Sequence, residues 1–297
     1  MIEEPVFSVF LAMMAAFCWG INAHLIRKGM EGDQDMWMSV VIRSVFSFAP
    51  LILLTMLFAG PGLIFLLQFE IFVYILASGI LITLGDATFG LGLRRYSVST
   101  MAPIGATYPL FVSAILIITG RELVSVMVLI GTVIIVVGIY IVTHAERTKF
   151  GYQPILLGIF SAVTWALSVV SLREVLVIEG SSPLAVTTMR LVPTGLFALA
   201  AFLISYRSPR TYFAEGQGQR IQSSKYLAIS GFVGWTLGAT FFLMAVQNIG
   251  AAIPTPISST NPIIAALIGH WIGIENLTKR KTIGVVTCVV GTLVILL

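Results

Sequence analysis

The sequence predicts an all-α integral membrane protein with ten transmembrane helices, arranged as two inverted five-helix repeats. Of its 297 residues, 58% are hydrophobic and only 10% are charged. A water-soluble domain carries about 25% charged residues, so this chain lacks the polar surface that a globular protein needs. Its apolar residues form continuous stretches of the roughly 20 residues that cross a bilayer as a helix. Transmembrane strands would instead alternate in polarity over about 10 residues.

Ten apolar stretches define the predicted spans. In chain order they cover residues 6–26, 37–58, 71–92, 98–119, 123–143, 155–177, 184–205, 226–248, 251–273 and 282–297. The chain begins Met1-Ile2-Glu3-Glu4-Pro5, without the positive charge of a secretory signal, so the first span is expected to be retained. The longest polar segment, 207–225, is too short to bury a core and is expected to be a loop.

The two halves of the chain share residues at nearly fixed separations. Trp19 and Trp165 are 146 positions apart, and Arg43 and Arg190 are 147 apart. Eight further pairs are 153 apart: Gly85/Gly238, Pro103/Pro256, Thr107/Thr260, Pro109/Pro262, Gly120/Gly273, Glu122/Glu275, Gly131/Gly284 and Gly138/Gly291. Glycine and proline are frequent in membrane helices, but that composition does not explain a repeated Glu and Thr. The sequence therefore predicts two repeats, 1–149 and 150–297.

The number of spans per repeat determines how the repeats are oriented. Five is odd, so the second repeat enters the membrane from the opposite face. Inverted repeats of this kind occur in secondary transporters, in which the two halves open to each side of the membrane in turn.

The distribution of basic residues predicts that both termini lie outside. Thirteen of the 17 basic residues lie at span ends on the side opposite the N-terminus, and two lie on the N-terminal side. Loops rich in Lys and Arg remain in the cytoplasm. The protein is thus expected to be a multi-pass protein of the cell membrane.

Several short motifs recur in a fixed order along the chain. They are Trp19-Gly20-Ile21-Asn22, Arg43, Leu93-Arg94-Arg95-Tyr96-Ser97, Pro109, Gly120-Arg121-Glu122, and Gly131 with Gly138. Each motif is weak alone, but through their order and duplication the chain resembles the EamA-type transporters of the drug/metabolite transporter superfamily over nearly its whole length. The resemblance implies ten helices in two inverted repeats, a central cavity, and export or uptake of small metabolites, including amino acids. Asp86 departs from the family pattern.

Prolines in the fourth and ninth spans point to a solute site. Pro103, Pro109, Pro256 and Pro262 remove backbone N–H groups and interrupt the helices, and the freed carbonyls are tolerated only against protein or a water-filled cavity. Hydroxyl and amide groups accompany them at Thr107, Tyr108, Ser258, Thr260 and Asn261. Alternatively, the prolines only kink two helices for packing, and the hydroxyls bond back to carbonyls of their own turn.

Charged residues inside spans are expected to have partners. A charge at the bilayer centre costs roughly 2.5–3.5 kcal/mol on insertion scales. Arg43 and Asp86 are predicted to pair, either as a gate or proton-linked element or as a fixed structural pair. Arg190 is expected to snorkel to the outer surface or to contact an anionic group of the solute. Trp19, Asn22 and Trp165 complete the predicted solute-contacting set, and an apolar pocket with few polar anchors suits a hydrophobic amino acid.

Taken together, these patterns predict a secondary transporter, an exporter or exchanger of small metabolites such as amino acids. Its expected partners are a small solute and the lipid bilayer. No catalytic site, metal or cofactor is expected, because Asp86 is the one clearly buried acid and the three histidines are scattered along the chain. No nucleic acid partner is expected, because the basic residues lie in short gaps between spans. The alternatives are a membrane-embedded enzyme and a lipid-carrier flippase. Glycines seven residues apart in the fifth and tenth spans permit close helix contact, as scaffold or as a homodimer surface.

Overall fold

The computed structural model describes residues 4–31, 34–59, 68–96, 98–143, 151–205, 217–271 and 278–297. Regular structure in these ranges is helical. The α-helices are α1 Glu4–Gly29, α2 Met36–Phe58, α3 Phe69–Arg95, α4 Val98–Gly105, α5 Tyr108–Thr119, α6 Val126–Thr143, α7 Gln153–Leu176, α8 Pro183–Ser205, α9 Gln217–Gly231, α10 Ala239–Ile249, α11 Pro254–Ser258, α12 Asn261–Trp271 and α13 Lys279–Ile295. A π-helical segment, Phe232–Gly238, joins α9 to α10.

Some sequence predictions fall outside the described ranges. Residues 144–150 and 206–216, whose basic residues contribute to the predicted orientation, are among them, as are Ser97, Gly273 and Glu275. The rest of the predicted loop 207–225 is not a loop, because residues 217–225 belong to α9.

Seven helical stretches are long and apolar enough to cross a membrane, counted over the residues that the structure describes. They are Pro5–Gly29, Met36–Phe58, Phe69–Arg95, Thr100–Thr119, Gln153–Leu176, Pro183–Ser205 and Arg220–Ile249. Two further apolar helices, Val126–Ile141 and Thr282–Ile295, are shorter. The predicted ninth span is helical too, but it is divided between α11 and α12. The protein is therefore an all-helical, multi-pass membrane protein, whereas the count of ten spans remains a prediction.

The predicted breaks in the fourth and ninth spans are present. The first separates α4 from α5 at residues 106–107, and the second separates α11 from α12 at residues 259–260. Pro109 lies in the first turn of α5 and Pro262 in that of α12. The first turn tolerates proline, because its N–H groups have no intrahelical acceptor. Pro103 and Pro256 were also predicted to interrupt the helices, but they lie within the short helices that precede the breaks.

The π-helical segment was not predicted from the sequence. In this segment the backbone N–H of Ala239 donates to the Gly234 carbonyl, which is the i→i+5 bond of a π-helix. The indole Nε1 of Trp19 donates to the Gly234 carbonyl at 3.0 Å. A Cβ on Gly238 would lie 2.8 Å from the same Nε1. The absence of side chains at these glycines thus allows α1 to approach the segment closely.

The glycines of the predicted fifth and tenth spans face one another inside the chain. A Cβ on Gly131 would lie 2.6 Å from the Gly291 carbonyl oxygen, and a Cβ on Gly291 would lie 2.9 Å from that of Gly131. Gly138 meets Gly284 in the same way, at 2.9 Å. These glycine faces therefore hold α6 against α13, which is the scaffold role. The predicted homodimer would have to form through other faces of the two helices.

Candidate functional site

Helices from both halves of the chain enclose a cavity of about 120 Å³. Its wall is formed by α1, α2, α3, α4, α7 and α8, by the π-helical segment and α10, and by the first residues of α5 and α12. Of the predicted solute-contacting residues, those that line it are Trp19, Asn22, Arg43, Asp86, Tyr108, Trp165 and Asn261. The tertiary structure thus brings together residues up to 242 positions apart, from Trp19 to Asn261.

An ion pair lies at the cavity wall. Arg43 Nη1 donates to Asp86 Oδ2 at 2.7 Å, and the two residues are only 2% and 8% exposed. The second carboxylate oxygen of Asp86 accepts a hydrogen bond from Trp165 Nε1 at 2.8 Å. The Arg43 guanidinium also lies 4.2 Å from the ring centroid of Trp235, within the range of a cation–π interaction. The predicted pairing of Arg43 with Asp86 is confirmed, and Asp86 has a partner on each oxygen.

Arg190 lines the same cavity and is 6% exposed, so it does not snorkel to the surface. Its Nε has no hydrogen-bond partner in the described part of the chain. Asp86 attracts it electrostatically. Helix α8 packs closely on α3 at this point, since a Cβ on Gly79 of α3 would lie 3.1 Å from the Arg190 carbonyl oxygen. The sequence signal that could have placed Arg190 at the cavity was its separation from Arg43, which is nearly the same as that of the other paired residues.

Aromatic rings form much of the remaining wall. Trp165 packs edge-on against Phe89 and Tyr108, with ring centroids 5.0 Å and 6.4 Å away. Trp19 packs against Phe242 at 5.3 Å. Phe242 was not singled out from the sequence, because one phenylalanine among 19 in apolar spans carries no positional signal. These rings give the cavity an apolar wall with a few buried polar groups, as in small-molecule sites generally.

The two repeated tryptophans occupy matching environments. Trp165 packs on Gly85, where an added Cβ would lie 2.7 Å from the indole Nε1. Trp19 packs on Gly238 in the same way. The hydrogen bonds differ: Trp165 donates to Asp86, whereas Trp19 donates to the Gly234 carbonyl. This difference follows from the sequence, since the position that matches Asp86 in the second half is an alanine.

The helix breaks contact each other through Tyr108. Its hydroxyl lies 2.8 Å from Ser258 Oγ and donates to the Thr255 carbonyl at 3.2 Å. The side-chain amide of Asn261, which lines the cavity, donates to the Ser258 carbonyl at 3.2 Å. The α4–α5 and α11–α12 junctions are therefore linked directly across the two halves.

Three predicted hydroxyl groups do not line the cavity among the described residues. Thr107 donates to the Ile104 carbonyl at 2.6 Å, and Thr260 to the Ile257 carbonyl at 2.7 Å. Ser258 donates to the Thr255 carbonyl at 3.0 Å and is fully buried. For these residues the alternative in which hydroxyls bond back within their own turn is the one found.

Glu122 joins the two halves away from the cavity. Its carboxylate accepts the backbone N–H groups of Ala251 and Ala252, each at 2.9 Å. Arg173 Nε lies 3.5 Å from the same carboxylate. Glu122 therefore holds the segment that leads into α11, and sequence analysis had identified it only as part of a repeated motif.

Comparison with known proteins identifies the family. The model of the EamA-like transporter family matches residues 6–144 and, separately, residues 153–297. The chain belongs to the EamA-like transporter family. Its relatives include an uncharacterized transporter of Archaeoglobus fulgidus, 24% identical over 97% of this chain and 98% of the relative. Another uncharacterized transporter, from Helicobacter pylori, is 22% identical over 98% of this chain and 95% of the relative.

The fold of this family member is also found among solved structures. One crystal structure superposes with a TM-score of 0.74 and covers 97% of this chain and 95% of its own. The sequence identity is 14%, so the similarity concerns the fold alone. Together with the apolar helices, the family assignment makes this protein a membrane transporter.

Proposed function

We propose that this protein is a secondary transporter that exports or exchanges small metabolites, such as amino acids, by alternating access. The observation that carries the proposal is a buried cavity at the contact between the two halves, with an ion pair and an arginine in a largely apolar wall. Charged groups within membrane spans mark solute or ion pathways, because they are costly to bury without a functional partner.

The proposed mechanism requires two inverted repeats, 1–149 and 150–297, with five spans each. Contacts between helices support this arrangement. Helix α1 packs on α11 and α12, and in the same way α7 packs on α4 and α5. Likewise α1 packs on the π-helical segment and α10, and α7 packs on α3. Contacts that recur with the halves exchanged are expected of a pseudo-two-fold axis, and such an axis would let the cavity open to either side.

The proposed orientation places both termini outside. It rests on the excess of basic residues at span ends on the other side. Labelling single cysteines introduced at residue 297 or within 219–225 with a membrane-impermeant reagent tests it. Labelling of residue 297 from the cytoplasmic side would contradict it.

Reconstitution into liposomes tests the proposed function. We expect saturable counterflow, in which an unlabelled internal solute accelerates uptake of the same labelled external solute. The panel would contain hydrophobic amino acids, sugars and nucleotides. Flux that never saturates would indicate a channel, and chemical turnover without flux would indicate an enzyme. Each of these results would contradict the proposal.

A variant pair makes this test specific to the cavity. Trp165→Ala removes an indole from the cavity wall and should abolish counterflow. Trp271→Ala removes an indole that is 93% exposed, so it should leave counterflow unchanged. Equal effects of the two changes on counterflow would show that transport does not depend on this cavity.

A further inference from the structure

Arg190 carries a charge that the contacts around it do not neutralise. It is 6% exposed, and its Nε has no hydrogen-bond partner among the described residues. Asp86 attracts it electrostatically, but both oxygens of that carboxylate already accept hydrogen bonds, one from Arg43 and one from Trp165. Arg190 is thus a buried cation, and the carboxylate that attracts it is already hydrogen-bonded to other residues.

The charge balance of the cavity follows from this. Three charged side chains line it, Arg43, Asp86 and Arg190, so two positive charges and one negative charge leave a net charge of one positive. A buried charge without a bonded partner is costly, and the cost is relieved when an opposite charge binds directly to it. An anion entering the cavity would therefore be stabilised at Arg190.

We propose that Arg190 binds the carboxylate of the transported solute, and that the solute is an organic monoanion with an aromatic or aliphatic body. This inference rests on the proposed transport function and narrows its solute class from small metabolites to monocarboxylates, with amino acids as weaker ligands. A guanidinium is planar and presents paired N–H donors that match the two oxygens of a carboxylate. One carboxylate on the solute would bring the net charge of the occupied cavity to zero.

The aromatic wall provides the surface for the rest of the solute. The indoles of Trp19, Trp165 and Trp235 and the ring of Phe242 line the cavity. Its volume of about 120 Å³ is below the roughly 300–1,000 Å³ of drug-sized sites, so the solute has the size of a small metabolite.

The ion pair also disfavours a solute ammonium group. An ammonium would need an anionic acceptor, and the carboxylate that the cavity offers is engaged on both oxygens. A zwitterionic amino acid would leave the net positive charge of the cavity in place. A monocarboxylate is therefore expected to bind more tightly than the amino acid of the same shape.

Three probes with the same carbon frame test this order. Phenylpyruvate is an anion, phenylalanine is a zwitterion and phenylalaninamide is a cation. In calorimetric titrations of the full chain in detergent micelles, we expect phenylpyruvate to bind at least tenfold more tightly than phenylalaninamide, with phenylalanine between them. Equal binding of phenylalaninamide and phenylpyruvate would overturn the anion site. Tighter binding of phenylalanine than of phenylpyruvate would overturn the preference for monoanions.

A phosphate probe distinguishes a carboxylate site from a general anion site. Phenyl phosphate carries a similar ring and an anionic group of different geometry. It should bind more weakly than phenylpyruvate, because its charge approaches −2 near neutral pH and would exceed that of the cavity. Equal or tighter binding of phenyl phosphate would overturn the assignment to a carboxylate.

Substitutions locate the preference at Arg190. Arg190→Gln should reduce the phenylpyruvate preference at least tenfold, and Arg190→Lys should retain part of it, because the charge remains but the paired donors are lost. Arg27→Gln, which removes an exposed arginine, is the matched control and should leave the preference intact. An unchanged preference in Arg190→Gln would refute the site. The comparison of probes on the unaltered chain does not depend on whether the variants fold.

The outcome for the solute class is separable from the outcome for transport. Saturable counterflow of phenylalanine that exceeds counterflow of phenylpyruvate would overturn the inference and leave the transporter intact. Absence of counterflow for every solute would contradict the proposed function, while the titrations in micelles would still decide whether Arg190 binds a carboxylate.

Discussion

The ion pair between Arg43 and Asp86 makes the strongest prediction about stability. Arg43→Met removes the cation and leaves the Asp86 carboxylate with its bond from Trp165 and the attraction of Arg190. Asp86→Asn removes the only carboxylate among the described cavity-lining residues and leaves two guanidinium groups. The two changes therefore remove the same ion pair, whose atoms are 2.7 Å apart, but leave different residual charges.

The expected magnitudes follow from burial. Removing one partner of a buried ion pair costs about 3–5 kcal/mol, because the other partner stays buried without compensation. Arg43→Met should lie near the lower end of this range, since Arg190 still attracts the Asp86 carboxylate. Asp86→Asn should lie near the upper end, since two arginines that are 2% and 6% exposed would then lack a counter-charge.

Equilibrium unfolding in mixed micelles measures both losses. The double variant, Arg43→Met with Asp86→Asn, should lose less free energy of unfolding than the sum of the single variants, by about 1–3 kcal/mol. Arg27→Met, at an exposed arginine, is the control and should change stability by less than about 0.5 kcal/mol. Additive losses in the double variant, or a larger loss for Arg43→Met than for Asp86→Asn, would refute the reasoning.

Three further predictions concern contacts outside the ion pair, each measured by the same unfolding experiment. Gly131→Ala should lower the free energy of unfolding by about 1–3 kcal/mol, because the new Cβ would lie 2.6 Å from a carbonyl oxygen of α13. Gly151→Ala is the control and should lower it far less, because Gly151 has open space around it. Equal losses would contradict the close packing of α6 on α13. Glu122→Gln should cost about 1.5 kcal/mol, since an amide oxygen can retain one of the two backbone bonds; no loss would indicate that this bridge does not stabilise the fold. Tyr108→Phe should cost about 1 kcal/mol, because Ser258 keeps its own carbonyl partner; a loss above about 3 kcal/mol would require a further role for the hydroxyl.

Local chemistry explains which features could be predicted from the sequence. The apolar stretches had to be membrane helices, because lipid offers no hydrogen bonds to an exposed backbone. The interruptions near Pro109 and Pro262 were predictable because proline lacks the N–H that a helix interior requires. The pairing of Arg43 with Asp86 was predictable because few other charges lie inside spans and each needs a partner.

Other features depend on distances between helices, which the order of residues does not specify. Whether the Thr107 and Thr260 hydroxyls face a cavity or their own carbonyls depends on how the broken helices rotate against their neighbours. The π-helical segment carries no local signal, because the side chain that donates to its Gly234 carbonyl is that of Trp19, 215 residues away.

The composition and the apolar stretches of this chain by themselves determined its lipid environment and its helical spans, because these properties follow from each residue and its near neighbours. Only the tertiary structure decided which side chains share a cavity. Arg190 would be a lipid-facing arginine on an isolated α8, but α8 packs against α2 and α3, and Arg190 lines the cavity that Asp86 also lines. The position of Arg190 relative to distant helices, and not its residue type, therefore determines that its charge lies at the cavity.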